Sequence, residues 1–221
     1  MNLAEVTERM VRAANGGKAK NEGVSYPYVE SLVPKYRQRA ILIVYNGSRE
    51  FAANKFIPNE WLQQFTLTIP IEQNTDTSKN FLEIECPSPA SLNVSEDGCI
   101  FTGDDDKSVG FKRIKSVSYA SDLNNRGDLN QGQIGYVLVG NKIRFYGNKQ
   151  LRSVDFAWVL NDPLDMPNFD IDGEYPVNET VIEVMETIAR AELSQIMGAP
   201  EDLVKDGVDT KDRRVNKANV V

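Results

Sequence analysis

Histidine is absent from this 221-residue chain, and cysteine occurs only twice, as Cys86 and Cys99. Without an imidazole there can be no Ser-His-Asp nucleophile, no His-ligated zinc and no histidine pH switch. Two cysteines make neither a disulfide scaffold nor a four-cysteine zinc site. Long apolar runs are missing as well. The longest, Ala40–Tyr45, falls far short of the roughly 20 residues that span a bilayer. The opening MNLAEVTERMVRAANGG has no apolar core of signal-peptide length, so no membrane contact is expected and synthesis in a cytoplasm is. The Asn-x-Ser/Thr triplets at Asn46, Asn93 and Asn178 then carry no meaning for glycosylation. Basic charge is also in deficit, with 25 Lys+Arg against 32 Asp+Glu and a net −7. Sequence-independent grip on nucleic acid needs a basic surface, but a weakly repulsive wall suits DNA that must slide past. What remains is ordinary globular composition, 41% hydrophobic and 26% charged, enough for one large domain or one domain with an insert.

Charge and hydrophobic period change together along the chain. Residues 1–60 carry 9 basic and 6 acidic side chains, 61–165 carry 10 and 14, and 166–221 carry 6 and 12. The first part reads as helical. Asn2 with Glu5 forms a capping box ahead of Leu3, Val6 and Met10, and Gly16-Gly17 stops that helix. A second helix opens near Ser25-Tyr26-Pro27, with an apolar face of Val29, Leu32, Val33, Tyr36, Ala40, Ile43 and Val44; Pro34 kinks it or starts a new helix. The competing reading makes Ile41–Val44 a buried strand. The middle reads as strands at 65–69, 81–85, 99–101, 111–120 and 153–160. Its clearest signal is Tyr136–Val139 and Lys142–Tyr146 joined by Gly140-Asn141, a two-residue hairpin of type II′ or I′. Prolines 87 and 89 mark a strand exit or edge. A last helix, 179–197, presents Val181, Ile182, Met185, Ile188, Ala189, Leu193 and Ile196 on one face, with Glu186 and Arg190 paired on the other and Gly198 and Pro200 as its stop. The expected fold is α+β: N- and C-terminal helices (1–60 and 166–207) packed as a bundle, an antiparallel β-sandwich or barrel insert (61–165), and an extended C-terminal arm (208–221).

Candidate chemistry is sparse. Asp104-Asp105-Asp106 lacks the spacing and closing Glu of a calcium loop, and in Asp170-x-Asp172-Gly173-Glu174 the glycine comes too early for one; both read as turns. Arg126-Gly127-Asp128 reads as coincidence, and the two cysteines as core residues. No Gly-rich phosphate loop is present. A carboxylate pair could run glycoside hydrolysis without histidine, but 32 acidic residues make such a pair uninformative. The expectation is therefore no catalytic residue, no cofactor and no metal. Lys35, Arg37 and Arg39 at alternating positions line the wet side of the second helix and could meet phosphate or an acidic partner. Arg213, Arg214, Val220 and Val221 lie in a polar, charge-balanced arm that either frays or folds onto a neighbouring subunit.

Several strings together resemble a known family. They are Ser25-Tyr26-Pro27-Tyr28-Val29, Asn59-Glu60-Trp61-Leu62, Glu174-Tyr175-Pro176-Val177, Ile196-Met197-Gly198-Ala199-Pro200-Glu201 and Lys205-Asp206-Gly207-Val208-Asp209. In element order most of the chain is similar to the ring-forming head-to-tail adaptors of short-tailed bacteriophages, the tail tubular protein A type, particularly the ring proteins of crAss-like phages. The resemblance implies a helical bundle with a β-rich insert. It implies a structural protein of the virion, made in the host bacterial cytoplasm and placed at the head–tail junction as a homo-oligomer, a twelve-copy ring. The implied partners are the portal, other tail ring or nozzle proteins, and DNA passing through the channel without specific binding. The C-terminal arm would reach a neighbouring subunit or the portal. Two other readings fit the sequence: a glycan-binding or glycan-cleaving module with an aromatic groove containing Trp61 or Trp158, and a generic intracellular scaffold.

Overall fold

A computed structural model describes residues 1–15, 24–48, 56–70, 81–92, 98–104, 109–114, 116–119, 133–147 and 151–193. Outside them lie the Gly16-Gly17 stop, Asp105 and Asp106, the Arg-Gly-Asp tripeptide, the end of the last helix with Gly198 and Pro200, and the arm 208–221. Helix α1, Leu3–Ala14, starts as its sequence dictates: Asn2 Oδ1 accepts from Glu5 N at 2.9 Å while Glu5 Oε2 accepts from Asn2 N at 3.0 Å. Helix α2, Tyr26–Gly47, places Pro27 in its first turn and runs unbroken through Pro34, so the chain neither starts a new helix there nor makes Ile41–Val44 a strand. Helix α3 occupies 179–193, the last of its residues described. Its cap is Asn178, whose Oδ1 accepts from Val181 N at 3.1 Å.

The strands form two sheets. The first has the order β1 (Gln63–Thr68), β7 (Ser153–Trp158), β3 (Cys99–Gly103); the second runs β2 (Leu82–Glu85), β6 (Lys142–Tyr146), β5 (Gly135–Val139), β4 (Lys112–Arg113). Among the described residues they do not join into the closed barrel that the sequence allowed. All pairings are antiparallel except β4 with β5, and among the described residues of the expected 111–120 strand only Lys112–Arg113 is extended, with 117–119 helical. The hairpin is as expected. Gly140 has φ +63 and Asn141 is not left-handed, which selects type II′, since I′ needs positive φ at both positions.

The interior has two main clusters. One is mostly aliphatic and joins the three helices through residues such as Val6, Met10, Val33, Ala40, Val181 and Met185. The other draws on both sheets and is rich in rings: Phe65 stacks on Phe156 at 4.8 Å, Trp158 stands edge-on to both, and Phe111 meets Phe145. The division is not a clean one. Trp61, Ala90, Leu92 and Val159, all inside the segment expected to be a separate insert, pack in the helical cluster.

Candidate interaction surfaces

The three alternating cations of α2 have different fates. Lys35 and Arg39 stand four residues apart, on one face, and both engage Glu192 of α3, Lys35 at 3.6 Å and Arg39 in direct contact. The bond from Arg39, more than the burial that opposes it, holds the Glu192 carboxyl below its ordinary value. Arg37 is fully buried, which corrects its placement on the solvent side and removes it as an interface residue. Its guanidinium donates to three carbonyls: Leu160 O at 2.6 Å, Pro176 O at 2.9 Å and Trp61 O at 3.2 Å. Those acceptors sit where the chain enters β1, where it has just left β7, and where it approaches α3. Arg37 therefore ties the β region to the helices at its point of entry and exit. Burial lowers the Arg37 pKa to about 10, with Tyr175 and Asp162 acting in the opposite direction. Gln63 reinforces the seam, donating to Trp61 O at 2.6 Å and accepting from Leu160 N at 2.7 Å.

Burying Arg37 rotates the hidden face of α2. The buried ridge is Val29, Val33, Arg37, Ile41 and Tyr45, flanked by Tyr36 and Ala40, a row of side chains four residues apart. Ile43, expected in the core, is instead 51% exposed, beside exposed Leu42. Tyr26 and Tyr28 at the start of the helix are also exposed.

Three concave or prominent features mark the rest of the surface. Two adjoining grooves of about 380 and 370 Å³ share Leu67 and Glu85 and lie between β1 and β2, each the outer strand of its sheet. Glu83 lines the first; it is held by Arg144 at 2.6 Å and Lys142 at 3.2 Å, and those bonds, the one from Arg144 foremost, lower its pKa despite burial. Between α1 and α3 is a concavity of about 310 Å³ lined by Arg9, Arg12, Ala13, Glu186 and Arg190. Burial opposes the charge on Arg9, but bonds to Glu179 at 2.7 Å and Glu186 at 2.6 Å outweigh it and leave its pKa raised. Glu186 thus pairs across helices with Arg9, and the expected pairing with Arg190 on the same helix is not formed. The third feature is the segment 165–174, with four acidic and no basic side chains. Its turn is closed by Asp170, whose Oδ1 accepts from Asp172 N at 3.1 Å and whose carbonyl accepts from Gly173 N at 3.2 Å. Ile171 stands at the tip, 64% exposed.

Other groups have environments that bear on chemistry. Among the described residues no three His, Cys, Asp or Glu side chains gather as metal ligands, and no helix is long and apolar enough to cross a membrane. Burial pushes the Cys86 thiol up to about 12, so it is protonated and a poor nucleophile. Trp61 and Trp158 are both fully buried, so neither can stack on a sugar in a surface groove. Arg213, Arg214, Val220 and Val221 lie outside the described residues. No protein-family model and no curated protein matches the chain.

Proposed function

We propose that this chain is a structural subunit of a short-tailed phage virion: one copy in a closed twelve-membered ring that joins the portal to the tail and continues the DNA channel. The observation that carries this reading is apolar exposure on a helix whose inner face is already filled. Leu42 and Ile43 stand on the outer side of α2, opposite a complete buried ridge. Solvent-facing apolar side chains on regular elements are what subunit contacts bury. Tyr26 and Tyr28, within the string that carries the sequence resemblance, are exposed in the same way.

In this reading the helices 1–60 and 166–207 form the ring wall, and the region 61–165, its two sheets facing as a sandwich, projects from it. The arm 208–221 reaches a neighbouring subunit through Arg213, Arg214, Val220 and Val221, while Lys35 and Arg39 belong to the rim of a helix–helix contact. The subunit works by binding, without catalysis. DNA passes a net acidic wall that does not hold it.

The test is the mass of the full chain in solution, alone and with a phage portal. A closed ring of twelve, formed alone or on portal contact, is the expected result. A chain that stays monomeric and ignores the portal overturns the proposal. Removing residues 208–221 is expected to weaken assembly while leaving the melting temperature of the monomer nearly unchanged.

A further inference from the structure

Two charged features of this surface match each other and cannot meet within one molecule. The concavity between α1 and α3 has three arginines, one glutamate and one small apolar residue, Ala13, in its lining. Glu186 is engaged by Arg9, and Arg12 pairs with Glu8 on the open surface. Arg190 is exposed and has no acidic partner among the described residues. The segment 165–174 offers the reverse: exposed Asp165, Asp170, Asp172 and Glu174, with Ile171 as an apolar tip between two carboxylates.

The fold keeps the two features apart. Tyr175 N donates to Met1 O at 2.8 Å, which pins the end of the acidic segment to the start of α1. Arg12 comes nine residues after Leu3, the first of α1, and Arg190 eleven after Glu179, so they lie about 14 and 16 Å further along their helices. Asp170 and Asp172 therefore do not neutralise their own molecule's Arg12 and Arg190. They remain available to another copy's.

We infer that the acidic segment 165–174 of one copy docks in the arginine-lined concavity between α1 and α3 of the next, with Ile171 against Ala13 and the carboxylates of Asp170 and Asp172 on Arg12 and Arg190. The contact rests on the ring reading and specifies how its copies join. Because the two patches are different and separate, the contact is head-to-tail. Repeated at a rotation that divides a full turn, without a rise, such a contact closes a ring. Arginine suits this role, since its planar fork can take a carboxylate in two parallel bonds. The turn closed by Asp170 and Gly173 holds the tip in place before docking, which lowers the ordering cost.

A charge swap in the full chain tests this. Arg12→Glu with Arg190→Glu reverses the concavity; Asp170→Arg with Asp172→Arg reverses the loop. Each double variant alone is expected to associate roughly a hundredfold more weakly than the wild type, as loss of close charge pairs at an interface does. Mixed in equal amounts, the two variants have every contact restored and are expected to form alternating assemblies of wild-type mass. Wild-type assembly that either variant reproduces unchanged, or a mixture that stays dissociated, overturns this contact and leaves the ring reading standing. A wild type that is monomeric at every concentration, with or without portal, takes both down. Circular dichroism and melting check each variant's fold. Should a reversal unfold the chain, Asp172→Asn and Arg190→Gln serve in its place, each with an expected weakening of roughly tenfold.

Discussion

The helical layer and the β layer are held together in different ways. In the β layer the interior is a set of rings in direct contact: Phe65 lies opposite Phe156 in the β1–β7 register, and Trp158 closes on both. Its one indole donor is satisfied locally, Trp158 Nε1 to Thr102 Oγ1 at 3.0 Å. In the helical layer the interior is mostly aliphatic, the helices are laced at the rim by Arg9 and Glu192 ion pairs, and a whole cation is buried at the boundary. Rings give the β layer burial with few polar obligations. Arg37 gives the seam directional bonds, which fix how the β region leaves the helices but are costly to lose. One layer is stable through area, and the junction is specified by hydrogen bonds.

This contrast can be tested by substitution, the seam first. Arg37→Met fills similar volume but orphans the carbonyls of Leu160 and Pro176; the expected loss is about 3–5 kcal/mol, read from denaturant unfolding. Tryptophan fluorescence distinguishes the regions, since Trp61 lies in the helical cluster and Trp158 in the β cluster. With Arg37 gone, the two clusters are expected to lose cooperativity and give non-coincident transitions by fluorescence and far-UV dichroism. A single coincident transition would show that the apolar contacts of Trp61 and Val159 couple the layers without Arg37. Phe156→Ala, in the middle of the central strand β7, is expected to cost about 3–4 kcal/mol while leaving one transition. The comparison therefore turns on cooperativity more than on total loss. Asn2→Ala removes the α1 cap and its reciprocal bond, costing about 1 kcal/mol, measured by the shift in the unfolding midpoint.

Elements determined by neighbours in sequence were legible, and those determined by distant partners were not. The α1 capping box spans three residues, and the β5–β6 hairpin turns on Gly140; both follow from local backbone chemistry. The face of α2 did not. Charge placed Arg37 outside, yet the acceptors that make its burial tolerable come from 24, 123 and 139 residues away. A signal did exist, because Val29, Val33, Ile41 and Tyr45 form a four-residue row with Arg37 in its gap. Gly103 and Gly110 approach as an isolated bridge, and a side chain on Gly103 would meet Val109 O at 2.3 Å, a close passage that alternation does not encode. The surface features were the least legible. Arg9 and Glu186 are 177 residues apart, so the concavity between their helices had no local signature, while of the acidic segment 165–174 only Asp170–Glu174 was legible, as a turn.

The smallest expected effect concerns Glu83, on the outer strand β2, and it tests whether ion pairs contribute as little to the β layer as the ring contacts imply. Glu83 faces Arg144 across the β2–β6 register and also takes Lys142, while Arg144 lies over the Phe81 ring at 4.7 Å. The Glu83 pKa is lower folded than unfolded. Its contribution is therefore complete above the ordinary glutamate value and disappears as pH falls through the lower, folded value. Asp162 acts in the opposite sense. Burial raises its pKa, so its ionisation detracts from stability at neutral pH, and that penalty is relieved on acidification. Glu83→Gln is expected to cost roughly 0.5 kcal/mol at pH 7, in keeping with a pair that water partly screens, and nothing at a pH below both Glu83 values. Its stability curve should converge on the wild type's on the acid side. A loss that persists undiminished there would assign the role of Glu83 to packing against Arg144 and Phe81, and would place this edge with the ring-filled interior.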